Sequence, residues 1–422
     1  ALVVSARKVL QRTLSDQGRF REALQQAQDT LTWLQDHPEL PKESKDGLLA
    51  RADVMSGQAV LQQMLGEYSA AECAYRESVA VYEKVAETIS AEPAIRERLA
   101  ISRLNLAWLL KRCDRLPESK ALATQVLQQL TELTAGQPEV LRHLENWATG
   151  FGLYGAILTL EGDPKAAEYF AKAFDEGFVL LGQTPYFDRP SLQEQFAVSL
   201  RDRSLTFELG GQFDMAERLL VESQSVLHQL SRTWPNNPSY RNELAQTSYQ
   251  MGRVAGRGSC GKGETAHAAF LEARGLWREL YQRGCPPEYR CDYLEFLILC
   301  PDSSFRDASL SRTIAEEICN ESPDNVNYRS KLGAAYCRTG EWQKAEKTLR
   351  ECLLARPNGR DAFLLAIAQI RLGQDEEAAV SRRIGEVWLE QVTPGDWRLQ
   401  TLQQEVNGMI SREADLPEAS RD

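Results

Sequence analysis

A chain of 422 residues has room for two or three ordinary domains or for one elongated repeat array. Its 43% hydrophobic and 26% charged content excludes a disordered polymer, and a net charge of −11 argues against nucleic acid as a general partner, because phosphate binding needs clustered Lys and Arg. No apolar run approaches the roughly 20 residues that cross a bilayer.

The first residues, Ala1-Leu2-Val3-Val4-Ser5, carry neither Met nor the charged lead of a secretory signal, and they run straight into a helical pattern. Residue 1 therefore reads as a cut point inside a longer protein. Along the chain a helix–turn–helix recurs, marked by turns at Gly18, Gly66, Asp114, Gly162 and Gly211, then at Gly340 and Gly373, with weaker copies at Gly261 and Ser303. The first three intervals are each 48 residues; the last, from Gly340 to Gly373, is 33. Glycine supplies the positive φ of such a turn, and a small residue five positions later (Ala23, Ala71, Ser119, Ala216, Ala345 or Ala378) lets the two helices approach closely. A proline ends each unit, at Pro38, Pro93, Pro138, Pro185, Pro235, Pro286, Pro323, Pro357 and Pro394, because proline is tolerated between helices and not within them.

This pattern predicts an all-α protein, a right-handed α-solenoid over 1–412. Its units fall at 1–40, 41–92, 93–137, 138–187, 188–236, 237–286, 287–323, 324–357 and 358–393, followed by a closing helix at 396–411 and a flexible tail at 413–422. The nine cysteines are scattered without Cys-x-x-Cys spacing, which points away from structural zinc or a disulfide framework and towards a reducing, cytoplasmic setting.

The stretch Val326–Gly359 resembles the tetratricopeptide consensus. Leu332-Gly333, Tyr336, Gly340, Ala345 and Pro357 stand at the defining positions, and Cys352 replaces the usual second alanine. Pro93-Ala94-Ile95-Arg96-Glu97-Arg98-Leu99-Ala100, Pro238-Ser239-Tyr240-Arg241-Asn242-Glu243-Leu244-Ala245 and Ala74-Tyr75-Arg76-Glu77-Ser78 look like the arrays that follow the kinase domain in planctomycete-type bacterial serine/threonine kinases. That resemblance implies a regulatory or partner-binding region of a signalling protein. The chain has no His-Arg-Asp, Asp-Phe-Gly or Val-Ala-Ile-Lys motif, so it is not expected to be an enzyme or to hold a cofactor. A recognition or inhibitory array of a bacterial defence effector, such as a caspase-like protease system, is the rival reading.

Gly256-Arg257-Gly258-Ser259-Cys260-Gly261-Lys262-Gly263 nearly matches a phosphate-cradling loop and carries a third reading, a nucleotide-dependent regulator. The segment follows a helix rather than a strand and has Gly263 where the Mg²⁺-binding hydroxyl belongs, so it is expected to lengthen a turn. His267 with Cys285, Cys291 and Cys300 matches no metal spacing. In tetratricopeptide proteins the first helix of each pair lines a concave groove. The resemblance therefore puts Trp108, Lys111 and Arg112, then Asn327, Arg338, Arg360, Phe363, Ile367 and Arg371, on a protein- or peptide-binding wall. Ser330, Ala334, Phe363 and Ile367 stand where a chaperone-type carboxylate clamp has Lys and Asn, which argues against that ligand.

Overall fold

The computed structural model describes residues 2–36, 44–89, 92–258 and 263–414. Pro38, the centre of the glycine-rich loop with its Gly261 turn, and the tail from 415 onwards lie outside the described residues. The described chain is helical throughout and forms antiparallel hairpins, as the repeat predicts. In order they are α1 (Leu2–Asp16) with α2 (Phe20–Asp36), α3 (Lys45–Met64) with α4 (Tyr68–Thr88), and α5 (Pro93–Arg112) with α6 (Leu116–Gly136). Next comes α7 (Leu141–Leu160) with α8 (Ala166–Ala171), which passes through a π-helical stretch, Lys172–Phe178, into α9 (Val179–Gly182). Then follow α10 (Pro190–Leu209) with α11 (Phe213–Thr233), α12 (Pro238–Arg257) with α13 (Gly263–Gln282), and α14 (Pro287–Leu299) with α15 (Ala308–Glu321). The last pairs are α16 (Val326–Thr339) with α17 (Trp342–Ala355) and α18 (Gly359–Arg371) with α19 (Asp375–Gln391), closed by α20 (Trp397–Ala414). The array divides into two compact units, one of residues 1–159 and 164–289, the other of 160–163 and 290–422.

The turns work as their chemistry demands. Gly18, Gly66, Gly162, Gly211, Gly340 and Gly373 have φ between 67° and 78°, and Asp114 takes the same role at φ 57°. Ser303 does not: its weaker copy of the motif is a short 3₁₀ turn capped by the Asp302 carboxylate. Behind each turn the small residues meet. Ala23, Ala71, Ser119, Ala216 and Ala345 have no exposed surface, and the Ser119 hydroxyl donates to the Ala107 carbonyl of the facing helix at 2.7 Å. Ser78 and Ser223, further along their own helices, repeat such a cross-helix bond, to the Ala52 and Ala197 carbonyls at 2.9 and 2.8 Å. Prolines begin α5, α10, α12 and α14, where a missing N–H costs nothing.

Asn358 shows how much a single cap can carry. Its side-chain oxygen accepts from the Asp361 N–H at 2.9 Å, and its amide donates to the Asp361 carboxylate at 2.9 Å. Asp361 is fully buried and also accepts from Ser330. Asn358→Ala removes both bonds and leaves a buried carboxylate short of a donor. It is expected to cost about 2 kcal/mol, measured as a shift of the urea midpoint.

Candidate functional site

The residues expected to line a groove are largely engaged within the chain. In the first unit the Lys111 ammonium lies 4.7 Å over the Trp108 ring and 3.6 Å from the Asp202 carboxylate. Arg112 pairs with Glu288, which also accepts from the Tyr68 hydroxyl 220 residues away in sequence. In the second unit Arg338 holds Glu405 of α20 through two bonds of 2.5 and 2.9 Å. Arg360 helps to neutralise Glu295, and Asn327 is buried in the first turn of α16. Arg371 is exposed and sits 5.8 Å over the Trp342 ring. Phe363 and Ile367 differ from expectation. They are 0% and 2% exposed, because α18 packs against both α19 and α20 and a methyl group on Gly385 would meet the Phe363 ring at 2.8 Å. Neither offers surface to a ligand.

Successive first helices are joined instead by a ladder of charges. Asp53 on α3 receives Lys8 of α1 at 2.7 Å and Arg98 of α5 at 3.1 Å, each 45 residues away. Glu97 on α5 receives Arg142 of α7, again 45 residues on, and Glu145 on α7 receives Arg189, 44 on, at 2.8 Å. Glu208 on α10 receives Arg253 of α12, 45 on, at 2.8 Å, and Arg257 at 3.0 Å. In the second unit Glu295 gathers Lys331 at 2.5 Å and Arg398 at 3.4 Å. Burial pushes its carboxyl up, but Arg398, Lys331 and Arg360 together hold it well below the usual carboxylate range.

Open grooves lie between neighbouring hairpins of the first unit. One, of about 420 Å³, is bounded by α2, α3 and α4, with Leu31, Gln35, Met55, Gln58 and Cys73 in its lining. The other, of about 340 Å³, is bounded by α6, α7 and α8, with Leu127, Thr131, Phe151, Tyr154 and Tyr169 in the same places. Each residue of the second set follows its counterpart by 96 positions, two repeats of 48. In the second groove Phe151 and Tyr169 stack at 5.7 Å, Tyr154 and Tyr169 lie 4.6 Å apart, and the Lys172 ammonium is 5.8 Å from two of these rings. In the repeat between them Arg103, the counterpart of Met55 and Phe151, bonds Glu83 at 2.6 Å and Gln129 at 3.0 Å.

The glycine-rich loop joins helix to helix, α12 to α13, without the strand that aims a phosphate cradle. Among the described residues no group of three or more His, Cys, Asp or Glu is placed to hold a metal, the eight cysteines are free thiols, and no helix is long and apolar enough to cross a membrane. Five of those cysteines are buried, and burial pushes the Cys300 and Cys337 thiols up to about 12.

No family model matches the chain. Among curated proteins it is 26% identical over 259 residues to Protein HemY of Escherichia coli and to Protein HemY of Shigella flexneri; the match covers 61% of this chain. The chain spans about half, 53%, of the length of those relatives. Among solved structures, BtubC (BKLC) from P. vanneervenii is 17% identical, with 63% of this chain and 92% of that one covered at a TM-score of 0.43. A Rap protein complexed with competence and sporulation factor is 13% identical, with 96% and 99% covered at 0.43. A thermophilic TPR protein of Thermus thermophilus is 16% identical, with 50% and 98% covered at 0.34. The chain is an array of tetratricopeptide-type hairpins. Its own repeat carries that statement: left-handed turns, small residues at the helix crossings and a shared register of grooves.

Proposed function

We propose that this chain is a protein-binding scaffold and that it docks an extended peptide through the two grooves between neighbouring hairpins. The observation that carries this reading is their equivalence. Two hollows floored by Leu31 and Met55, and by Leu127 and Phe151, sit two repeats apart and share one register. Each has room for one large apolar side chain, and the aromatic and thioether lining favours an aromatic one. Gln35, Gln58 and Tyr154 supply polar groups for the peptide backbone, and the Thr131 hydroxyl, which accepts from the Trp147 N–H at 3.1 Å, keeps its proton to donate. Within a larger bacterial protein such a scaffold serves as a regulatory or recognition segment. The proline-entry signatures favour a serine/threonine kinase as the attached activity over a defence effector.

The test uses the full chain and a synthetic peptide bearing two phenylalanines joined by Gly-Ser linkers of graded length. At the best linker length it is expected to bind at least about tenfold more tightly than a peptide with one phenylalanine. Cys73→Lys and Tyr169→Lys each block one groove and should each abolish that advantage. If affinity instead responds to Lys111→Ala or Arg371→Ala and ignores the groove variants, the peptide binds away from the grooves and the reading is wrong.

A further inference from the structure

Between α10 and α12 the charge ladder continues through Glu208 and Arg253, but the acid one repeat on from Glu145 takes a hydroxyl in place of an arginine, at a junction between distant parts of the first unit. Asp53 and Glu97 each receive an arginine from the next first helix, and Glu145 receives Arg189, the residue just before α10. The next acid in register is Glu194 on α10, and 45 residues on stands Ser239, whose hydroxyl donates to Glu194 at 2.5 Å. A hydroxyl supplies a hydrogen bond but no countercharge. At this same place the first turn reaches α12: a methyl group on Gly18 would meet the Pro238 ring at 3.5 Å. Hairpin α1–α2 thus rests on the helix that carries Ser239.

We propose that this junction is a carboxylate latch, firm while Glu194 keeps its proton and loosened when the proton leaves. The groups that act on Glu194 are Asp16 of α1, Glu243 and Tyr240 of α12, Arg201 of α10 itself and Tyr289 at the start of α14, while Arg12 of α1 acts on Tyr240. Arg201 is drawn to Glu243 at 2.5 Å, so the cation that acts on Glu194 is shared. An ionised Glu194 would make a third carboxylate beside Glu243 and Asp16, pressing α1 away from α12. Burial pushes the Glu194 carboxyl up to about 7; Ser239 and Arg201 act against this, while Glu243 and Asp16 add to it.

The direction follows from linkage. Below the ordinary carboxylate value of 4.5 the group is protonated whether the junction is closed or open, and the latch contributes fully. As pH rises from there through about 7, the open form ionises first and the latch progressively loosens. Above that range nothing further is lost. A second contact, Tyr68 and Arg112 on Glu288, ties the next turns to the start of α14 and keeps the unit together while the first hairpin loosens.

Hydrogen exchange on the full chain at about pH 5.5 and about pH 8, corrected for intrinsic rates, tests this. The α1–α2 amides are expected to lose about tenfold protection at the higher pH, with α16–α17 unchanged as the internal control. Glu194→Gln should keep the hairpin protected at both values. Ser239→Arg, which completes the rung, should do the same by holding a paired, ionised Glu194. The proposal is overturned if wild-type protection is equal at both values, or if either folded variant retains the wild-type dependence.

Discussion

Glu208→Ala is expected to cost about 3–5 kcal/mol, the largest effect of any single charge removal in the first unit. The Glu208 side chain has no exposed surface, and that of Arg253 is 4% exposed. One guanidinium nitrogen of Arg253 reaches both carboxylate oxygens, at 2.8 and 2.9 Å, and Arg257 adds a bond of 3.0 Å. The variant leaves the Arg253 charge in a dry site without that carboxylate, whereas Arg257, 41% exposed, can turn to water. Local exchange protection across α10–α13 is the suitable measure, since repeat arrays unfold in segments rather than all at once. The double replacement Glu208→Leu with Arg253→Leu should recover most of the loss, because a well-packed apolar pair needs no countercharge. A loss under about 1 kcal/mol in the single variant would mean that water reaches Arg253 readily.

That pair also shows what the sequence discloses and what it conceals. Helix pairs and their turns are legible because a positive φ selects glycine and close helix crossings select small residues. Asp114 is legible mainly through its spacing, since aspartate tolerates the left-handed turn but marks it less strongly than glycine. Acidic and basic residues such as Glu97, Arg142, Glu208 and Arg253 look like solvated helix faces when each helix is considered alone. Their offset of 45 residues, three short of the repeat, is the signal that they pair across neighbouring helices. The 96-residue offset between Met55 and Phe151 is equally visible once sought, but only packing reveals that Arg103 bonds Glu83 and Gln129 in the repeat between. Other features have no local trace. Phe363 faces inward because Gly385 leaves room for its ring, and Tyr68 finds Glu288 only because the folded array brings them together. The π-helical turn at Lys172–Phe178 belongs with these. Gly177 there lies so close to α7 that a methyl group would meet Ala148 at 2.6 Å, a constraint set by the partner helix.

Glycines within these helices are expected to divide by the space in front of them, and Gly252→Val should give the largest packing penalty, about 3 kcal/mol. A β-carbon at Gly252 of α12 would stand 2.4 Å from the Phe270 ring. That ring is 3% exposed and rests 6.0 Å from the Tyr249 ring, so it has nowhere to retreat. Valine adds two methyl groups to the clash and must force α12 away from α13. Gly333 is similarly tight: its β-carbon would meet the Leu349 Cγ at 2.6 Å and Leu349 has no exposed surface, so Gly333→Ala should cost about as much as Gly252→Ala. Gly275 of α13 has nothing within 4 Å of the position, and Gly275→Ala should stabilise by about 0.5–1 kcal/mol through helix propensity alone. Urea midpoints of the four variants supply the comparison. A destabilised Gly275→Ala, or a Gly252→Val as stable as wild type, would show that helix spacing in these hairpins is not set by what glycine leaves out.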